Sequence, residues 1–210
     1  MTRQMTLPVR SKREQSVRMS YAEFLRADFA ERRHAEWVDG KVIFMPPISS
    51  ENIDLQGLLA TVLRAFVDAK GLWLLVTEPY VMKTGPTLPG RSPDIMFVAE
   101  KRRSKVKKME LQGPADLVIE IVSPSSRTTD RKDKFREYET GGVREYWIID
   151  PIRKSADFFL LGPDHRYHPI PLDHDGIFRS VVLNGVWLRL QWLWPRLPPT
   201  TMILREWKLI

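Results

Sequence analysis

Apolar side chains recur along this chain with two different periods, and the change between them divides it. From Ser50 to about Ala69, residues Leu55, Leu58, Leu59, Val62, Leu63, Phe66 and Val67 return at intervals of three and four, the signature of one helical face. Beyond Gly71 the apolar residues form short β-rich runs instead: Leu72 to Met82, Ile95 to Val98, Leu117 to Val122, Glu145 to Ile149 and Ala156 to Leu160. A polar helix is predicted from about Thr129 to Thr140, with Gly141-Gly142 as its stop. Ahead of the long helix, Ser20 and Glu23 form a capping box before Tyr21, Phe24 and Leu25, which predicts a short helix. Asp39-Gly40, set between Ala35 to Val38 and Lys41 to Met45, predicts a tight hairpin that Pro46-Pro47 ends. Helix, strands, helix and further strands in this order imply an α/β sheet core with helices packed on it.

The end of the chain is rich in Trp187, Trp192, Trp194 and Trp207, interleaved with Leu188, Leu190 and Leu193. Such residues can stack on nucleobases, but a final core strand or a dimer surface is the commoner use and the one expected.

Composition narrows the classes. The 210 residues suit one compact domain, and 43% hydrophobic with 28% charged side chains excludes a disordered or fibrous chain. No apolar run approaches the roughly 20 residues of a bilayer span, so an integral membrane protein is not expected. The absence of cysteine removes disulfides, thiolate metal sites and cysteine nucleophiles. Residues 1–18 are polar and basic, do not resemble a secretory signal, and read as a flexible tail before a single domain over 19–210; a cytoplasmic location is expected.

The formal net charge of +7 is unevenly spread. Residues 1–18 carry Arg3, Arg10, Lys12, Arg13 and Arg18 against Glu14, a net +4. Residues 101–108 carry Lys101, Arg102, Arg103, Lys105, Lys107 and Lys108, a net +6, so the remainder is −3. Each basic segment reads either as a solvated loop or as a phosphate-contacting patch.

The sharpest local anomaly is Glu120 inside Leu117-Val118-Ile119-Glu120-Ile121-Val122. A strand apolar on both faces is buried on both, and a carboxylate there costs several kcal/mol or so unless cations or donors compensate it. Asp94 immediately precedes a second apolar strand. Two carboxylates at the rims of adjacent strands suit a hard divalent cation such as Mg²⁺, which takes oxygen ligands. On the predicted polar helix, Asp130, Lys134 and Tyr138 lie four residues apart, on nearly one face. Each also has a plainer reading: Asp94 as a turn residue, Glu120 paired with a buried Arg or Lys, and Lys134 in a helix-face salt bridge with Asp130.

Together, Pro93-Asp94, Asp116-Leu-Val-Ile-Glu120-Ile-Val-Ser-Pro-Ser, Asp130-Arg-Lys-Asp-Lys134 with Tyr138, Gly142-Val143-Arg144-Glu145-Tyr146-Trp147 and Asp150-Pro151 resemble the Uma2 family of the PD-(D/E)xK nuclease superfamily. Glu36-Trp-Val-Asp39-Gly40 and Met45-Pro46-Pro47 fit its opening pattern, so the resemblance runs from about residue 20 to 195. It implies a restriction-endonuclease-like core, a central mixed β-sheet flanked by helices. It also implies metal ligation by Asp94, Glu120 and the backbone carbonyl of Ile121, with Mg²⁺ or Mn²⁺ as cofactor. The superfamily lysine falls at Val122, and Lys134 from the following helix is its match, with Asp130, Tyr138, Asn52 and Glu36 in support. Where the family often has a histidine at the start of the long helix, this chain has Asn52.

His165, His168 and His174 lie among turn residues, and a zinc site there is not expected. No nucleophile elbow, phosphate loop or dinucleotide glycine pattern occurs. Three readings follow: a metal-dependent DNA endonuclease, with Lys101 to Lys108 reaching the phosphate backbone beside the site; a catalytically degenerate DNA-binding module on the same fold; and an interaction protein dimerising through its tail. A homodimer is compatible with each.

Overall fold

The computed structural model describes residues 17–27 and 34–210. The chain runs through β1 (Val17–Arg18), α1 (Tyr21–Arg26), β2 (Ala35–Val38), β3 (Lys41–Phe44) and the long helix α2 (Ser50–Ala69). Then come β4 (Trp73–Thr77), β5 (Val81–Lys83), β6 (Gly90–Arg91), β7 (Ile95–Ala99), a 3₁₀ turn (Glu100–Lys105), β8 (Glu110–Gln112) and β9 (Leu117–Ile121). A π-helical turn (Thr129–Lys134) leads into α3 (Phe135–Gly141), followed by β10 (Glu145–Asp150), β11 (Ser155–Leu161), β12 (Tyr167–Pro169), β13 (Ile177–Arg179), β14 (Trp187–Arg189) and α4 (Thr200–Glu206).

The central sheet has the order β12-β11-β10-β9-β7-β4, and it is mixed: β9 and β10 are parallel while their outer neighbours are antiparallel. A second sheet, β1-β3-β2-β6-β5-β8, carries the N-terminal hairpin. The two faces of β9 enter different cores. Leu117, Ile119 and Ile121 meet the apolar stripe of α2, from Leu55 to Val67. Val118 and Val122 face Tyr138, Val143 and Tyr146 beneath the π turn and α3. Covering both faces removes the strand's apolar area from water, which is why its sequence lacks alternation.

The long helix has the limits that its periodicity predicts, and Ser49 caps it by accepting the Asn52 N–H at 3.4 Å. The Ser20 capping box and the hairpin at Asp39-Gly40 also form, both turn residues having positive φ. The run Leu72 to Met82 is not one strand. Glu78-Pro79 interrupts it, because proline offers no ladder N–H, and the halves join different sheets. The polar helix starts as a π turn, and Gly142 at φ 83 closes it. Residues 1–16 of the expected tail lie outside the described residues; Val17 and Arg18 pair with Val42 and Lys41. The tryptophan-rich end is core: Trp207 packs edge-on against Phe66 at 5.8 Å, and its Nε1 donates to the Trp187 carbonyl. Among the described residues, no helix is long and apolar enough to cross a membrane.

Candidate active site

The antiparallel pairing of β7 with β9 sets Ile95 against Ile119, so Asp94, one residue earlier, comes opposite Glu120. Asp94 Oδ2 accepts the Ile121 N–H at 2.5 Å, which fixes its carboxylate across the strand end. Glu120 is 2% exposed and shares its face of β9 with Val118 and Val122.

The π turn brings the cation. A π turn widens the helix locally and recurs at functional sites. Here it sinks both Asp130 and Lys134 below the surface. The Lys134 ammonium lies 2.9 Å from Glu120 Oε2, 3.3 Å from Glu36 Oε1 and 3.2 Å from Asp130 Oδ1. Tyr138 donates its hydroxyl to Glu120 Oε1 at 2.8 Å. Lys134 thus brings Glu120, Asp130 and Glu36 together, with Tyr138 on Glu120. The plainer readings hold at the same time, since Glu120 pairs with a buried lysine and Lys134 bridges to Asp130.

Asn52, in the first turn of α2, donates from Nδ2 to the carbonyls of Ile121 and Val122, each at 3.3 Å. The carbonyl expected as a metal ligand thus already has a donor.

Several residues belong to the site that sequence reasoning missed. Buried Arg91 gives one nitrogen to Glu36 at 2.7 Å and grips Glu137 on α3 with two more, both at 2.7 Å. It ties the second sheet to the helix that carries Lys134. On the other flank, His34 Nδ1 pairs with Glu78, and Gln56 Nε2 bridges Glu78 Oε1 and the Asp94 carbonyl at 3.3 and 3.2 Å. One signal was available: Asn52 and Gln56 stand four apart in the first turns of α2, two amides on one side of the helix. Nothing local marks Arg91, Glu78 or His34.

Negative charge exceeds positive charge at this centre, and the protonation equilibria register it. Burial pushes the Asp94 carboxyl up from its ordinary 3.8 to about 7, over the opposing pull of Lys134 and the Ile121 N–H. Burial also raises Glu120 well above the usual carboxylate range, with Lys134 opposing and Asp94, Asp130 and Glu36 adding to the rise. For Lys134, burial disfavours the charge, but Glu120, Glu36 and Asp130 outweigh it and hold the ammonium protonated. Burial works against Glu36 too, yet Lys134 and Arg91 hold it down at about 2.

That donor set fits a hard divalent cation. It offers only oxygens, and burial raises Asp94 and Glu120 because their ionised forms are poorly solvated, a cost that a bound cation would offset. Among the described residues no group of three or more acidic or imidazole side chains is arranged around a metal position. Asp94 and Glu120 are two carboxylates, within the one or two that Mg²⁺ usually takes from a protein.

The basic segment lies elsewhere. Lys101 to Lys105 follow the far end of β7, separated from Asp94 by five strand residues, about 17 Å. Lys101 and Arg102 there lie 3.5 and 3.2 Å from Asp116, and Arg103 pairs with Glu100. The segment does not stand beside the carboxylates, although its position between the two motif strands suggests that it should. Of the three histidines, His168 pairs with Asp164 at 3.0 Å and His174 lies 3.3 Å from Asp175.

A mixed sheet covered by helices, with Asp94 and Glu120 at the ends of neighbouring strands and a buried lysine on Glu120, is a restriction-endonuclease-like architecture. The chain belongs to the Uma2 family, whose model, described as "Putative restriction endonuclease", matches residues 21–191. It is 23% identical over 160 residues to the "Uncharacterized protein sll1609" of Synechocystis sp., covering 71% of this chain and 84% of that protein. Its fold is similar to the crystal structure of a "putative nuclease belonging to DUF820" from Anabaena variabilis, with a TM-score of 0.66 at 20% identity over 82% of this chain and 95% of that one.

Proposed function

We propose that this protein is a metal-dependent endonuclease that hydrolyses DNA phosphodiester bonds. The observation that carries the reading is the Lys134 ammonium 2.9 Å from Glu120, in a buried centre that also holds Asp94. Asp94 and Glu120 are the residues to hold Mg²⁺ or Mn²⁺. Such a cation supplies Lewis acidity toward the scissile phosphate and a bound water of lowered pKa. Lys134 keeps positive charge within the site, near the oxygens on which negative charge grows during in-line displacement. Tyr138 holds the Glu120 carboxylate in place, the Ile121 N–H does the same for Asp94, and Gln56 fixes the Asp94 backbone through its carbonyl. Lys105, Lys107 and Lys108 grip the DNA backbone away from the cleaved phosphate. A homodimer would set two sites on one duplex, and a reducing cytoplasm suits a chain without cysteine.

Supercoiled plasmid incubated with the protein and Mg²⁺ or Mn²⁺ tests this: nicked and linear forms are expected, and Asp94→Asn or Glu120→Gln should abolish them. Cleavage that survives either change removes the assignment. A second reading, a DNA-binding module that has lost catalysis, draws on one observation: Glu120 and the Ile121 carbonyl already accept donors from Lys134, Tyr138 and Asn52. Salt-sensitive DNA binding with no Mg²⁺ uptake in calorimetry would favour it.

A further inference from the structure

Asp94 and Glu120 present four carboxylate oxygens, whose present partners differ. Glu120 Oε2 accepts from Lys134 at 2.9 Å and Oε1 from Tyr138 at 2.8 Å. Asp94 Oδ2 accepts from Ile121 N, while Asp94 Oδ1 has no donor among the described residues. A cation held by Asp94 and Glu120 would therefore share Glu120 with an ammonium already on it. Two positive groups on one buried oxygen repel strongly where the dielectric constant is low, so each weakens the other's hold.

Lys134 has somewhere else to go. Asp130 is 1% exposed, and its Oδ1 is a buried oxygen with no hydrogen-bond partner among the described residues. It lies 3.2 Å from Lys134 Nζ, yet off the hydrogen-bonding direction. A buried acceptor left unsatisfied is costly, and one held beside a donor that points elsewhere has an evident use. Glu36 Oε1, at 3.3 Å, is a second acceptor on that side. Both Asp130 and Lys134 belong to the π turn, so the shift is a side-chain rotation over a local widening of the helix and leaves the strands alone.

We propose that Lys134 is an exchangeable internal counter-ion: it neutralises Glu120 until a divalent cation takes that carboxylate, and then turns onto Asp130 Oδ1 and Glu36. This rests on the metal-dependent reading above and adds to it a two-position lysine that competes with the metal. The exchange keeps Lys134 paired in both arrangements, while a bound cation would add positive charge to a centre in which carboxylates outnumber cations.

The test uses the full chain labelled at its lysine nitrogens, with Mg²⁺ alone as the probe. The Lys134 ammonium resonance, assigned by its loss in Lys134→Arg, should shift as Mg²⁺ is added to the wild type. In parallel, calorimetry on Lys134→Met should give a Mg²⁺ Kd lower by about tenfold or more, the competing charge having been removed. If Lys134→Met does not fold, the wild-type resonance decides alone. A wild type that binds Mg²⁺ with that resonance unmoved, or a Kd in Lys134→Met within about twofold of wild type, overturns the exchange and leaves the nuclease reading standing. No Mg²⁺ uptake by either protein overturns both.

Discussion

Changing Asp94 to Asn separates the electrostatic strain of the site from its catalysis. Burial raises the Asp94 carboxyl from 3.8 to about 7, so the folded protein holds a proton that the unfolded chain has lost across that window. Stability from the protonated carboxyl is fully present below 3.8 and is lost as the pH rises through about 7. At 1.36 kcal/mol per pH unit the full effect is about 4 kcal/mol, of which about 3 kcal/mol falls in a scan from roughly pH 5 to 8. Glu120 and His34 are also raised, so the wild-type profile contains more than Asp94, and the difference from the variant is the diagnostic quantity. Asparagine keeps an oxygen for the Ile121 N–H and cannot ionise. Urea unfolding in the presence of a chelator should show wild type losing stability relative to Asp94→Asn as the pH rises, by about 3 kcal/mol over the scan. Saturating Mg²⁺ should restore the wild type at the upper end by mass action and leave the variant unchanged. Parallel profiles, within about 0.5 kcal/mol at every pH, would refute the claim that Asp94 is a strained, metal-seeking carboxylate.

Three further outcomes follow from other parts of the molecule. Arg91→Met leaves Glu36 and Glu137 without their shared partner and should destabilise the fold by about 3–5 kcal/mol in urea titrations; a loss under about 1 kcal/mol contradicts the network. Gly90→Ala places a methyl carbon 2.7 Å from Tyr21 Cε2 and 3.3 Å from Val81 Cγ1, so α1 must shift, at a cost of about 1–3 kcal/mol; unchanged thermal unfolding speaks against that close approach. Neutralising Lys105, Lys107 and Lys108 together should flatten the log–log dependence of DNA affinity on salt by about one unit of slope for each phosphate left without its lysine, with Mg²⁺ uptake unaltered; an unchanged slope removes the segment from the DNA path.

The parts of this fold legible in the sequence are those whose causes are local. The α2 stripe, the Asp39-Gly40 hairpin and the Gly142 stop each depend on residues within a few positions, and all three form as expected. The second sheet was largely invisible because β6 and β8 are two- and three-residue rungs of mostly polar composition, stabilised only by partners distant in the chain. The same distance hid Arg91, whose carboxylate partners lie 55 and 46 residues away. The basic segment shows the opposite error. Lying between two motif strands in the chain suggests closeness to the site, but an antiparallel strand returns its far end to the other side of the sheet. Buried Glu145 shows that a carboxylate in an apolar strand is not sufficient evidence for catalysis: it accepts the Trp147 indole N–H and the backbone N–H groups of Val181 and Val182, so neutral donors satisfy it.

The position of the lysine follows from these contacts. Val122 shares the Glu120 face of β9 and is fully buried against Tyr138 and Val143. A lysine at that position would have to thread its stem through this packing before reaching the carboxylate. Lys134 approaches the same space from the covering helix, and the π turn gives it the extra width to enter. From there it also lies beside Glu36 on β2 and Asp130 in its own π turn. A strand lysine would be restricted to the strand's own rim. An ammonium on the helix has more than one carboxylate to rest on, which is what the proposed exchange of Glu120 for Asp130 and Glu36 requires.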